Sequence, residues 1–155
     1  MEKQEELIGV LNDLIRINND RVAGYERATK EAKNLDVDLI KTFNEMADQS
    51  RRYVAQLVQE VTRLGGEAAH DTTVSGKVYR VWMDLKAAIT GKDRETVLGN
   101  CEYGEDVAQR AYEAALESDA YMSTEIRQLI TSQKSDLKSA HDLIKKYRDL
   151  HERVS

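Results

Sequence analysis

The residues of this chain best suited to chemistry are carboxylates and one imidazole that fall in or beside apolar, helically spaced rows. Glu26 follows Leu11, Ile15 and Val22, Glu105 sits between Cys101 and Ala108, and His141 lies between Leu137 and Ile144. Acidic oxygens and an imidazole converging inside a helical core can bind a divalent metal such as iron, manganese or zinc, and through it handle oxygen or peroxide. Dinuclear centres of that kind take a Glu from each of two helices and a Glu-x-x-His pair from each of the other two, because a three-residue step keeps both ligands on one face. The pattern is not met here. The second long segment carries Glu45-x-x-Asp48 and no histidine, and His141 has Lys138 three residues before it. Glu26, Glu105 and His141 suffice for at most a ligand-poor single metal.

The same positions also read as a buried polar network, and this is the favoured reading. Arg52 or Arg51 would neutralise Glu26 and Glu105, with Asn18, Tyr25, Gln49, Tyr112 and Gln133 completing the hydrogen bonds. An arginine beside the carboxylates supplies the positive charge that a metal would otherwise bring. Other candidates are weaker. His70 lies in a loop opened by glycines, His151 suits a helix C-terminus, Trp82 is suited to packing, and Cys101 to a small core position. No Ser-His-Asp order, phosphate-cradling glycine loop or paired CxxC is present.

The elements that must position these residues are helices. Leu7, Leu11, Leu14, Ile15, Val22, Tyr25 and Ala28 recur at three- and four-residue steps, predicting a first helix from Leu7 to Ala32. A second follows an Asp36 cap, with Leu39, Ile40, Phe43, Met46, Ala47, Tyr53, Val54, Leu57, Val61 and Leu64 on its face, and stops at Gly65-Gly66. A third runs from about Asp93 to Leu116, and a fourth, capped by Ser123, continues nearly to the C-terminus. Residues 65–91 are too long for a tight turn and carry an amphipathic segment (Val78, Val81, Trp82, Leu85, Ile89), so a crossover containing a short extra helix is expected. Apolar surface around Tyr79 and Trp82 would suit a homodimer or another protein partner.

Composition narrows the classes. An apolar fraction of 41% with 33% charged residues is too hydrophobic for a disordered chain and too polar for a membrane span. The net charge of -5, with acids and bases interleaved, lacks the basic stripe that nucleic acid requires. A single cysteine and a polar, acidic start without a signal-like apolar run fit the cytoplasm. One soluble all-α domain over residues 1–155 is the expectation.

Several segments together resemble an uncharacterised bacterial family of four-helix-bundle proteins placed in the ferritin-like superfamily. They are Leu11-Asn12-Asp13-Leu14-Ile15 with Asn18-Asn19-Asp20, Gly24-Tyr25-Glu26, Leu64-Gly65-Gly66, Trp82 to Gly91, Cys101 to Asp106, and Ala140-His141-Asp142. The resemblance covers nearly the whole chain and implies a ferritin-like four-helix bundle with a long connection between its second and third helices, in a cytoplasmic bacterial protein. By similarity, Glu26, Glu105 and His141 fall on positions the family shares. Two functions compete: a non-catalytic bundle that is stress-related or protein-binding, and a divergent metal-binding enzyme of the oxidase or peroxidase type.

Overall fold

The structure, a computed structural model, describes residues 2–31, 37–71 and 94–154. Four helices account for most of them: α1 (Glu2–Glu31), α2 (Val37–Arg63), α3 (Arg94–Glu117) and α4 (Thr124–Val154), with no strand among the described residues. The absence of proline leaves the backbone ladders intact. Each helix buries one row stepping by three and four residues, whose apolar members are Leu7, Leu11, Leu14, Tyr25 and Ala28 on α1, and Leu39, Phe43, Met46, Tyr53 and Leu57 on α2, with polar residues at the steps between. The rows continue with Leu98, Cys101, Ala108, Tyr112 and Ala115 on α3, and Ile126, Ile130, Leu137, Ala140 and Ile144 on α4. Helix α1 starts earlier than its apolar periodicity, because the exposed Gln4, Glu5 and Glu6 are good helix formers that need no packing partner.

Local caps set two of the helix ends. The Ser123 hydroxyl accepts from the Ile126 N–H at 3.2 Å and opens α4. Helix α2 closes with Gly65 in the left-handed region (φ 80°), its N–H donating to Thr62 O and that of Gly66 to Val61 O, both at 3.0 Å. This is the paired-bond stop that favours glycine. The Asp36 cap, the extra helix over Val78–Ile89 and the dimer surface around Tyr79 and Trp82 lie outside the described residues.

The helices form a bundle in which α1 touches α2 and α3, α4 touches α3 and α2, and among the described residues neither diagonal pair is in contact. Direction follows from cross-helix pairs. Asn18 meets Tyr112 while Arg21 meets Glu105, so α1 and α3 are antiparallel; Tyr53 meets Asp136 while Gln56 meets Gln133, so α2 and α4 are antiparallel. The short connections within α1–α2 and α3–α4 make those pairs antiparallel as well. Helices α2 and α3 are therefore parallel on a diagonal, and α3 begins at the end of the bundle away from where α2 stops.

The first stretch after α2 runs toward that end. Gly66 lies against Ile8, Asn12 donates to Glu67 O and accepts from the Ala69 N–H, Arg16 pairs with Asp71 at 2.9 Å, and Asn19 donates to Asp71 O. Residues 66–71 thus keep pace with residues 8–19 of α1, a rise of about 16 Å that a nearly extended chain covers.

Two glycines separate the backbone effects at work here. Gly65→Ala must hold an L side chain at positive φ and is expected to cost roughly 1–2 kcal/mol. Gly9→Ala, on an exposed part of α1 with nothing within 4 Å, is expected to stabilise by up to about 1 kcal/mol. Urea denaturation midpoints check both, and equal signs would contradict the assignment of the α2 stop.

Candidate functional site

The apolar rows are interrupted at mid-bundle by a polar layer drawn from all four helices: Asn18 and Arg21 on α1, Ser50 on α2, Glu105 on α3 and Gln133 on α4, all buried. Each sits in the same three-four register as its apolar neighbours, so the fold must carry these groups inside. Arg21 is 1% exposed. Its Nε and Nη2 grip the two oxygens of Glu105 at 2.5 and 3.2 Å. Nη1 reaches Met46 O at 3.2 Å and Ser50 Oγ at 2.8 Å, and Nη2 also lies 3.2 Å from Met46 Sδ. All the donors of a guanidinium are thereby engaged. The Tyr25 hydroxyl donates to Glu105 Oε1 at 3.2 Å, and the Tyr25 ring lies 5.4 Å from the Arg21 Cζ.

From Arg21 the hydrogen bonds continue outward. The Ser50 hydroxyl donates to Asn18 Oδ1 at 2.8 Å, and the Asn18 amide donates to Leu14 O and to the Tyr112 oxygen, both at 2.8 Å. Tyr112 donates to Gln133 Oε1 at 2.6 Å, and the Gln133 amide donates to Gln56 Oε1 at 2.9 Å. Burial opposes the charge on Arg21, but the Glu105 carboxylate more than offsets it and holds the pKa above the ordinary value. Burial pushes the Tyr25, Tyr112 and Tyr53 phenols and the Cys101 thiol upward.

The residues singled out in the sequence divide. Asn18, Tyr25, Glu105, Tyr112 and Gln133 are brought together. The neutralising cation is Arg21, not Arg51 or Arg52, both of which are exposed. Glu26 is exposed too, paired with Arg51, which also binds Asp48. Gln49 is half-buried against the Tyr53 hydroxyl, and with Arg52, Asp136 and Leu143 it lines a groove between α2 and α4. Arg21 was legible in principle. It falls on the row Leu7, Leu11, Leu14, Asn18, Arg21, Tyr25, Ala28, and only its charge argued against a core position.

His141 belongs to a different group. Its Nε2 lies 2.7 Å from Asp106 Oδ1 and its Nδ1 3.2 Å from Asp142 Oδ1. Glu102, Asp106 and His141 each offer a ligand atom within 4.8 Å of the others, and neither Glu26 nor Glu105 shares that group. A dinuclear centre does not fit the core residues. Both Glu105 oxygens are taken by Arg21, and any cation beside them would face a fixed like charge.

A family model, Domain of unknown function (DUF2383), matches residues 6–118. The chain belongs to that family. The DUF2383 match spans α1, α2 and α3, and so includes Asn18, Arg21, Ser50, Glu105 and Tyr112, while Gln133 and His141 on α4 lie beyond it. No curated protein matches the chain. No helix among the described residues is long and apolar enough to cross a membrane.

Two outcomes test the polar layer. Arg21→Met leaves Glu105 buried without its cation and is expected to cost about 3–5 kcal/mol, whereas Arg21→Met with Glu105→Leu recovers at least about 2 kcal/mol of that loss. Chemical denaturation of both variants measures it, and additive losses would contradict the coupling. Because burial keeps Tyr25, Tyr53 and Tyr112 protonated in the folded state, the unfolded chain releases those protons first. Stability is therefore expected to be insensitive to these groups below about pH 10 and to fall above it. Urea midpoints that stay level well above that pH, with phenolate absorbance growing while helical dichroism persists, would contradict their burial.

Proposed function

We propose that this DUF2383 protein is a single ferritin-like domain over residues 1–155 in which an arginine–carboxylate pair stands where bundles of this kind hold metals. On this reading it is a non-catalytic cytoplasmic module of a stress-related or protein-binding kind, acting through its surface. The parallel, diagonal placement of α2 and α3 supports the ferritin-like assignment, since it requires one long connection between two antiparallel pairs.

The observation that carries the non-catalytic reading is the engagement of Arg21 in the core. Its guanidinium holds both oxygens of Glu105 at 1% exposure or less, so the inward acid of α3 has no lone pair facing open space. The neighbouring groups that chemistry would need as nucleophiles or bases point the same way. Burial holds Cys101, Tyr25 and Tyr112 in their protonated forms, which are poor nucleophiles.

Aerobic oxidation of ferrous iron and consumption of hydrogen peroxide, followed with tag-free protein, test this reading. Neither is expected to run faster than in buffer. A saturable acceleration of either reaction would overturn it.

A further inference from the structure

We infer that Glu102, Asp106 and His141 form a binding site for one divalent transition-metal ion of the zinc or manganese class at the solvent edge of the α3–α4 interface. Glu102 and Asp106 are four residues apart on α3, which places both carboxylates on one helical face. Helix α4 presents His141 to that face, held there by the antiparallel packing of the two helices. The three ligand atoms lie within 4.8 Å of one another. Ligands sharing one zinc ion at about 2.1 Å stand roughly 3.4 Å apart, so the group closes around an ion by small side-chain rotations. Each of the three is half-buried.

The imidazole adds an observation of its own. Both ring nitrogens face carboxylates, Nε2 at 2.7 Å from Asp106 and Nδ1 at 3.2 Å from Asp142. A neutral ring carries one proton and can donate to only one of them. With Nδ1–H on Asp142, the Nε2 lone pair is turned toward Asp106 and Glu102, where a divalent cation turns a repulsive contact into three bonds. Asp142 is then the outer carboxylate that fixes ring orientation and tautomer, as in carboxylate–histidine–metal arrangements. Mixed nitrogen and oxygen donors without sulfur select this class of ion over softer ones.

The site is separate from the core pair, so it stands or falls apart from the non-catalytic reading. Zinc is the probe because it is redox-inert and cannot be confused with iron oxidation. Calorimetric titration of zinc into chelator-treated, tag-free protein is expected to show one equivalent bound. His141→Ala and Asp106→Asn, both at partly exposed positions, should each weaken binding at least about tenfold with helical dichroism unchanged. Asp142→Asn should weaken it by about tenfold, the size of an outer-shell effect, and the exposed His70→Ala should leave it as it is. No saturable binding, or zinc affinity that survives both His141→Ala and Asp106→Asn, would overturn the proposal and leave the His141–Asp106 contact as an ion pair bridged by a proton.

Discussion

A guanidinium and a carboxylate, both removed from water, stand at the centre of four helices, and the surrounding residues are placed so that neither charge is left alone. Desolvating an ion costs several kcal/mol even after relaxation, and mutual attraction repays that only where the remaining donors and acceptors are also met. Here Met46, Ser50 and Tyr25 supply the rest. Arg21 and Glu105 tie α1 to α3, Ser50 adds α2, and the path through Asn18 and Tyr112 to Gln133 adds α4. Rows of Leu and Ile alone would tolerate a slip of one helix along another by a full repeat. A polar layer does not, since any slip strands a buried charge.

The diagonal placement of α2 and α3 depends on a second, outer set of polar contacts. A chain leaving α2 with ordinary turn chemistry would fold straight back beside it. The glycine stop instead delivers Gly66 onto Ile8, where a Cβ would come within 2.8 Å of the Ile8 side chain, and the backbone then climbs α1. Asn12, Arg16 and Asn19 are the rungs, hydrogen-bonding backbone and side-chain atoms of residues 67–71. Helix α1 thus has two polar faces of different purpose: Asn18 and Arg21 turned into the bundle, and Asn12, Arg16 and Asn19 turned onto the departing chain.

Much of this was legible in the residues, and the misses have physical causes. Periodicity gave four helices in the right places, the Gly65-Gly66 stop and the Ser123 cap, because those are local effects. It also placed Glu105, Asn18, Tyr112 and Gln133 in the core register. An arginine usually lies at the surface, which disguises Arg21 as a solvent residue and makes Arg51 and Arg52 on α2 the obvious cations, yet those two face water and Arg21 is buried. Spacing from Leu11, Ile15 and Val22 points Glu26 inward, yet it lies one residue beyond the buried position of Tyr25 and meets Arg51 outside. The grouping of His141 with Glu102 and Asp106 depends on how far α4 returns along α3. That is set by the turn at residues 118–123 and cannot be read from spacing within either helix.

The acids of α3 then show how one helix can serve two electrostatic environments. Glu105 lies about 60° from Glu102 and about 100° from Asp106 around the helix axis, at roughly 100° per residue. That rotation takes Glu105 to the bundle centre and leaves the other two beside α4 at the edge. In the centre the partner is part of the chain itself: Arg21 is charged at every accessible pH and cannot diffuse away from its buried acid. At the edge the carboxylates and the imidazole are only half-buried, so a partner there could come and go at less structural cost. A permanent cation inside, and at the edge a group open to the exchangeable one proposed above, let the same helix serve stability in the core without committing its outer acids.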